Sequence, residues 1–198
     1  MTPLDKNRPK QEQRLPETAT RHAVRLRSPG RDIPVFSTRH MLRKASEKDI
    51  SRIAEILIFA KRVSYRPIFE DDKVSFNIMQ VLTEAENLKK PDGLDGVFVY
   101  DDGIVRAMMK RQFAGKTVKL CELFVDPFFQ HNGIGGKILA SLVDEARKNH
   151  CSDVYLWVLE KNVQARNFYE KHGFVFKGIR EEFADTGRYK MKYVMPLE

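Results

Sequence analysis

The stretch Leu120-Cys121-Glu122-Leu123-Phe124-Val125-Asp126-Pro127-Phe128-Phe129-Gln130-His131-Asn132-Gly133-Ile134-Gly135-Gly136 decides how the rest of the chain is read. Its first six residues favour a strand. Asp126-Pro127 ends it, because the residue before a proline avoids helical backbone and proline has no N–H. From Gly136 onward, Ile138, Leu139, Leu142, Val143 and Ala146 recur at three- and four-residue spacing, with Lys137, Asp144, Arg147 and Lys148 between them. That is a helix with one buried face. Strand and helix meet at Gly133, Gly135 and Gly136. Glycine lets backbone N–H groups come close to a ligand. A helix start adds unpaired N–H groups and a positive dipole end, which together suit a phosphate or pyrophosphate.

Two common phosphate loops fail on residues. A P-loop needs Gly-x-x-x-x-Gly-Lys-Ser/Thr, but Gly136-Lys137 is followed by Ile138 and the first glycine would fall on His131. A dinucleotide fingerprint would begin at Gly133-Ile134-Gly135, but Ile138 stands where its third glycine belongs. Glycines that serve only a tight turn are the remaining alternative, and that explains poorly why three gather at one helix start.

Gln130-x-x-Gly133-x-Gly135-Gly136, following Val125-Asp126-Pro127, resembles the acetyl-coenzyme A loop of the GNAT family, the Gcn5-related N-acetyltransferases. A second block matches independently. Asn162-Val163-Gln164-Ala165-Arg166-Asn167-Phe168-Tyr169-Glu170-Lys171-His172-Gly173-Phe174 is similar to the family's Asn-x-x-Ala-x-x-x-Tyr-x-x-x-Gly-Phe. The resemblance covers residues 41–198 and none of what precedes them.

The chain has room for one domain with a sizeable core, at 198 residues and 42% hydrophobic content. No apolar run is long enough for a membrane span, and the first residues lack the apolar segment of a secretory signal. Cys121 and Cys151 have no metal-type spacing, so no metal is expected. They read as reduced thiols of a cytoplasmic protein. The net charge of +8 raises a nucleic-acid reading. Residues 1–40, however, hold nine Lys/Arg against Asp5, Glu12, Glu17 and Asp32, leaving 26 basic and 23 acidic residues in 41–198. The basicity belongs mainly to the leader, and nucleic acid is not the expected partner. The leader carries five prolines and no sustained apolar period, so disorder is its expected state. Met41 stands directly before the domain-like sequence and is a candidate natural start.

Met41–Ala45 reads as a first strand. Ser46-x-x-Asp49 is a capping box, with Ile50, Ile53, Ile56, Leu57 and Ala60 on the buried face of the helix it opens. That run is expected to end in Tyr65-Arg66-Pro67-Ile68-Phe69-Glu70-Asp71-Asp72. A second helix is expected from about Lys73 to Leu88, with Ile78, Val81, Leu82 and Ala85 inward, until Pro91-Asp92-Gly93 breaks it. Val97–Tyr100 and Ile104–Met109 flank Asp101-Asp102-Gly103, a type I′ hairpin signal. Strands are then expected at Asp153–Leu159, Phe174–Ile179 and Tyr189–Met195, with a helix from Asn162 closed by Gly173. The order β-α-α-β-β-β-α-β-α-β-β is that of an α/β (α+β) GNAT fold: a mixed, strongly twisted sheet of about seven strands with helices on both faces.

The resemblance implies acetyl-CoA as acetyl donor and a cleft where the fourth and fifth strands part. The backbone of Leu123, Phe124 and Val125 is implied to bind the pantetheine arm, and the N–H groups of Gln130, His131, Asn132, Gly133, Ile134, Gly135 and Gly136 the pyrophosphate. Asn162 reads as a helix N-cap whose side chain also faces the pantetheine. Tyr169, a core aromatic by position alone, matches the family tyrosine that protonates the departing thiolate. For the base, Glu122 is the candidate, against the alternative of a strand carboxylate satisfied by a lysine or a water relay; Glu160 is a weaker one. Leu156-Trp157-Val158-Leu159 replaces the Leu-Glu-Val-Arg common among enzymes acting on protein N-termini. The acceptor site is expected to be shaped by Tyr65 to Asp72 and the terminal hairpin, with Glu70, Asp71 and Asp72 able to attract a cationic amine. The expected activity is direct acetyl transfer to a primary amine of a small molecule or peptide. The alternatives are a protein lysine or N-terminal acetyltransferase and a non-catalytic acetyl-CoA-binding module. A homodimer is left open.

Overall fold

The computed structural model describes residues 41–184 and 186–197, so the readings of residues 1–40 lie outside the described residues. The elements run β1 (Leu42–Lys44), α1 (Ile50–Phe69), a π-helical segment (Lys73–Ile78), α2 (Val81–Leu88), β2 (Val97–Asp101), β3 (Val105–Ala114), β4 (Thr117–Val125), α3 (Ile134–Lys148), β5 (Asp153–Leu159), α4 (Val163–Lys171), β6 (Val175–Glu182) and β7 (Tyr189–Pro196). The strands form a single sheet in the order β1-β2-β3-β4-β5-β7-β6. β4 and β5 run parallel, and α3 supplies the crossover that parallel neighbours need. The element order and sheet match the expected fold.

The two faces of the sheet bury separate cores. Ile53, Ile56 and Leu57 of α1 meet Val97, Val99 and Met108 on one face. Ile138, Leu139 and Leu142 of α3 meet Met109, Leu120, Leu156 and Tyr193 on the other. Arg43 fastens the first strand: its guanidinium donates to both carboxylate oxygens of Asp49 at 2.8 Å and to Asp101 Oδ2 at 3.0 and 2.8 Å. Asp49 is buried and also accepts from the Ser46 amide at 2.9 Å, closing the capping box. The Arg43 guanidinium holds the Asp49 carboxyl well below the usual carboxylate range.

Helix α1 runs through Pro67 to Phe69, within the stretch expected to close it. Pro67 removes one backbone hydrogen bond and crowds the carbonyl a turn before it, and Ile68 next to it is nonetheless buried. Three local expectations are corrected. The helix expected over Lys73–Leu88 is interrupted, because Met79 (ψ 88°) and Gln80 (φ −113°, ψ 133°) leave helical backbone. The break resets the phase: Val81, Ala85 and Leu88 face the core, whereas Ile78 and Leu82 are exposed. Asp101 pairs with Val105, so the β2–β3 hairpin carries a three-residue loop instead of a type I′ turn, and the Gly103 amide donates to Asp101 Oδ1 at 3.0 Å. β6 extends to Glu182, beyond the expected end at Ile179.

Candidate active site

The site begins with a break in alternation on β4. Lys110 of β3 pairs with Glu122 and Arg111 with Leu120, so Cys121 is an extra residue, a bulge. Val118 and Leu120, before it, lie in the core under α3. Strict alternation would send Glu122 and Phe124 to that same face. After the bulge the phase is reversed: Leu123 and Val125 pack on the α3 side, and Phe124 packs on the α1 side. Glu122 is thereby aimed at α1, where Lys61 Nζ donates to its Oε1 at 3.0 Å and lies 5.6 Å from the Phe124 ring centroid. Re-aiming a side chain is what a bulge does. Lys61 is thus the ion-pair partner of the carboxylate.

The same point on β4 marks the opening of a cleft. The β4–β5 ladder runs from Thr117↔Asp153 to Leu120↔Leu156 and stops, although β4 continues to Val125 and β5 to Leu159. Leu123, Phe124 and Val125 remain paired to Met109, Met108 and Ala107 on one side. Their backbone groups on the other side face the gap without a strand partner.

Beyond β4, Asp126 anchors the turn. Buried, it accepts from the Phe128 amide at 2.9 Å and pairs with Arg52 of α1, whose Nε donates to the Val105 carbonyl at 3.0 Å. Gln130 Nε2 donates to the Val125 carbonyl at 3.2 Å, and Asn132 Nδ2 to Phe129 O at 3.3 Å, so these side chains brace the loop. His131 and Gly133 both take left-handed backbone (φ 62° and 74°). Gly133 caps α3, and the Lys137 amide makes the bond back to its carbonyl at 3.1 Å. The amides of Ile134, Gly135 and Gly136 therefore open the helix with no intrahelical acceptor. Gly135 and Gly136 have a further reason to be glycine. A Cβ on Gly135 would lie 3.2 Å from Phe168, and one on Gly136 3.0 Å from His172 Nε2. The first turn of α3 is pressed against α4.

Helix α4 brings in the tyrosine. Asn162 Oδ1 accepts from the Ala165 amide at 3.1 Å, a working N-cap. Tyr169 is half-buried between Phe168 and Phe174, with ring centroids 5.2 and 5.6 Å away. Burial pushes its phenol far above the ordinary tyrosine range, and neighbouring Tyr65 adds to the shift. Tyr65 in turn is pushed up to about 12, first by burial and then by the charge of Glu122. Tyr65 is thus within electrostatic reach of both the Glu122 carboxylate and Tyr169.

Lys61, Tyr65 and Phe69 recur every four residues on α1 and form one stripe. Phe69 stacks edge-on with Tyr65 (5.9 Å) and meets Phe183 of the terminal hairpin (6.0 Å). All three residues of the stripe stand on helix, since α1 ends at Phe69. Tyr65 opens the stretch expected to shape the acceptor site, whereas Lys61 and Phe183 were missed from the sequence. Four-residue spacing carried back from Phe69 through Tyr65 would have found Lys61. Glu160 lies elsewhere, paired with Arg180 at 2.6 Å. Arg66, Pro67, Glu70 and Asp72 line an open depression of about 490 Å³ at the end of α1, and Asp72 is paired with Arg66 at 3.2 Å.

A parted strand pair, an amide-rich helix start beside it and a tyrosine on the next helix set the frame for comparison with known proteins. The model of the acetyltransferase (GNAT) family matches residues 52–174, more than half of the chain. The chain belongs to the GNAT family. A probable spermine N(1)-acetyltransferase of Bacillus subtilis subsp. natto is 36% identical over 62 residues, which cover 31% of this chain and 41% of that protein. The match thus spans less than half of the relative's length. A thialysine N-epsilon-acetyltransferase of Bos taurus is 24% identical over 143 residues, covering 67% of this chain and 82% of that protein. Among solved structures, the PaiA N-acetyltransferase of Thermoplasma acidophilum in complex with coenzyme A aligns with a TM-score of 0.56 at 19% identity. It covers 76% of this chain and 96% of its own. At that identity the likeness is one of fold. No described helix is long and apolar enough to cross a membrane.

Proposed function

We propose that this GNAT protein transfers the acetyl group of acetyl-CoA directly to a primary amine of a small molecule or peptide. The single observation that carries the reading is the neighbourhood at the end of β4, where residues 123–125 have no strand partner on the β5 side, the amides opening α3 follow directly, and Phe168, against Gly135, has the Tyr169 ring beside it. An extended, anionic donor fits there. The strand edge matches an amide-bearing arm, and the first turn of α3 matches a pyrophosphate. The names of the spermine and thialysine relatives, both amine acetyltransferases, agree with this reading.

When bound, acetyl-CoA supplies an activated acyl carbon joined to a thiolate leaving group. The protein's part is to orient, to neutralise charge and to move protons. The amine must attack in its neutral form, so one proton leaves its nitrogen for the base, while the thiolate set free as the C–S bond breaks leaves the site and takes its proton from solvent. Glu122, directly or through one water, takes the amine's proton, with Lys61 fixing the carboxylate. Tyr169 stays protonated at neutral pH because burial raises its pKa. It donates a hydrogen bond to sulfur as negative charge develops there. The raised pKa also makes complete release of the phenolic proton costly, so charge stabilisation is the larger part of its role.

The test is Tyr169→Phe, which keeps the ring and its contacts with Phe168 and Phe174. Removing one donor to developing charge lowers kcat by roughly 10²–10³. The KM for acetyl-CoA and the Tm change little, because the lost bond belongs to the transition state. A kcat within about twofold of the parent, in an enzyme that acetylates amines, removes Tyr169 from the chemistry.

A further inference from the structure

On the α1 side of the sheet, helix α1 packs on β3 and β4, and among the described residues no helix packs on β5 or β7. Val154, Leu156 and Val158 of β5 and Met191 and Tyr193 of β7 are buried under α3 and α4. The alternate residues Tyr155, Trp157, Lys190 and Lys192 must therefore point to the open face. Their contacts agree: Lys192 Nζ lies 4.7 Å from the Tyr155 ring centroid, and Lys190 Nζ lies 4.7 Å from that of Trp157. Lys119 of β4 is registered beside Tyr155, on the face opposite Val118 and Leu120. Lys110 of β3 stands directly across from Glu122. Lys110, Lys119 and Glu122 all bear electrostatically on Cys121 between them, so the lysine row reaches the reacting end of the site.

Among the described residues, the acids on this face are engaged. Glu122 is paired with Lys61 at 3.0 Å and Glu181 with Lys190 at 3.1 Å, while Asp153 accepts from Ser152 Oγ at 2.8 Å at the far strand end. Among the described residues, Lys110, Lys119 and Lys192 have no carboxylate within ion-pair distance. Seated on aromatic faces, the β7 lysines are held with their charge at the surface. A site for a polycation needs the reverse arrangement, carboxylates in excess of cations. Of the Glu70-Asp71-Asp72 run, Arg66 engages Asp72 and the Lys73 amide donates to Asp71, so the run offers no excess of carboxylates over Lys110, Lys119 and Lys192.

We propose that the open β5–β7 face is the acceptor-docking surface, and that it selects a primary amine carried on an anionic body, bearing a carboxylate or phosphate, over a polyamine. The amine end reaches Glu122 past Trp157 and the Tyr65–Phe69–Phe183 wall, and the anionic end lies along Lys119 and Lys192. This rests on the acetyl-transfer reading and separates the chain from the relatives named for spermine.

The experiment measures thiol release with acetyl-CoA for matched acceptors: putrescine and spermidine, 5-aminopentanoate, and phosphoethanolamine against ethanolamine. At least one anionic amine is expected to exceed the polyamines about tenfold in kcat/KM; the carboxylate and phosphate arms identify which anion is read. Lys192→Glu and Lys119→Glu, both on half-exposed positions, should each shift the anion-to-polyamine ratio about tenfold towards polyamines, a charge reversal at a partly screened surface. The KM for acetyl-CoA and the Tm should be unchanged. Polyamines preferred by the parent enzyme, or an unshifted ratio in both variants, overturn the inference while leaving acetyl transfer intact. Acetyl-CoA binding without acetylation of any amine overturns both. Failure to bind acetyl-CoA at all refutes the cofactor loop first and this inference with it.

Discussion

Gly133 offers the cleanest test of the pyrophosphate loop. Gly135 and Gly136 are poor choices, since any Cβ there meets Phe168 at 3.2 Å or His172 at 3.0 Å and disturbs the seam between α3 and α4. At Gly133 a Cβ meets nothing within 4 Å, and the only obstacle is the left-handed backbone, φ 74°. Asn and Asp tolerate that region better than other residues, at a cost of about 1 kcal/mol. For a chain of this length that is a Tm decrease of about 2–4 °C. Gly133→Asn and Gly133→Asp share this backbone cost and differ in one negative charge at the mouth of the helix. Two unit charges about 5 Å apart repel by roughly 0.8 kcal/mol in bulk water and about four times that near a protein surface. Against a pyrophosphate, about 2 kcal/mol is a moderate expectation for this exposed turn, or roughly 30-fold weaker binding. Titration calorimetry with acetyl-CoA should place Gly133→Asn within about threefold of the parent and Gly133→Asp about 30-fold below it. The gap should narrow as ionic strength rises and the Debye length shortens. Equal affinities for the two variants, with both melting cooperatively, would falsify the assignment of the pyrophosphate to this turn.

The base and the structural staple make their own predictions. Glu122→Gln should lower kcat/KM about 100-fold at pH 7, and the deficit should shrink as pH rises towards the amine's own pKa, where solution supplies the neutral nucleophile. A deficit that stays constant with pH would make the carboxylate a structural partner of Lys61. Asp49→Asn should lower stability by about 1.5–3 kcal/mol at pH 7, the range for hydrogen bonds to a charged group. Because the folded state holds the Asp49 carboxyl below its unfolded value, this stability is present above about pH 4 and is lost as pH falls further, while the unfolded chain takes up protons first. The stability gap between parent and variant, read from melting curves, should therefore narrow steadily as pH falls below about 4, and a gap that stays constant would count against the staple.

What was legible in the sequence and what was not divide along the same line as donor and acceptor. The donor side is local: Asp126-Pro127 stops a strand, Gly133 to Gly136 start a helix, and Asn162 to Gly173 form one capped helix, all within a few residues of one another. Propensity and spacing suffice for such features. The acceptor side is assembled from distant segments. The Cys121 bulge exists only because Lys110 and Arg111 pair with Glu122 and Leu120, and no property of Leu120-Cys121-Glu122 announces it. Without it, alternation sends Glu122 to the wrong face. The parting of β4 from β5 depends on a strand some thirty residues on. The aromatic wall is non-local in the same way: Tyr65 and Phe69 lie on α1, but Phe183 joins them from the terminal hairpin more than a hundred residues on. The lysine row needs the registers of three strands before Lys119, Lys190 and Lys192 are seen to share a face. A reading of local pattern therefore identifies the acetyl donor and leaves the acceptor open. Acceptor selectivity can for the same reason be altered at Lys119 or Lys192 without touching the glycine turn.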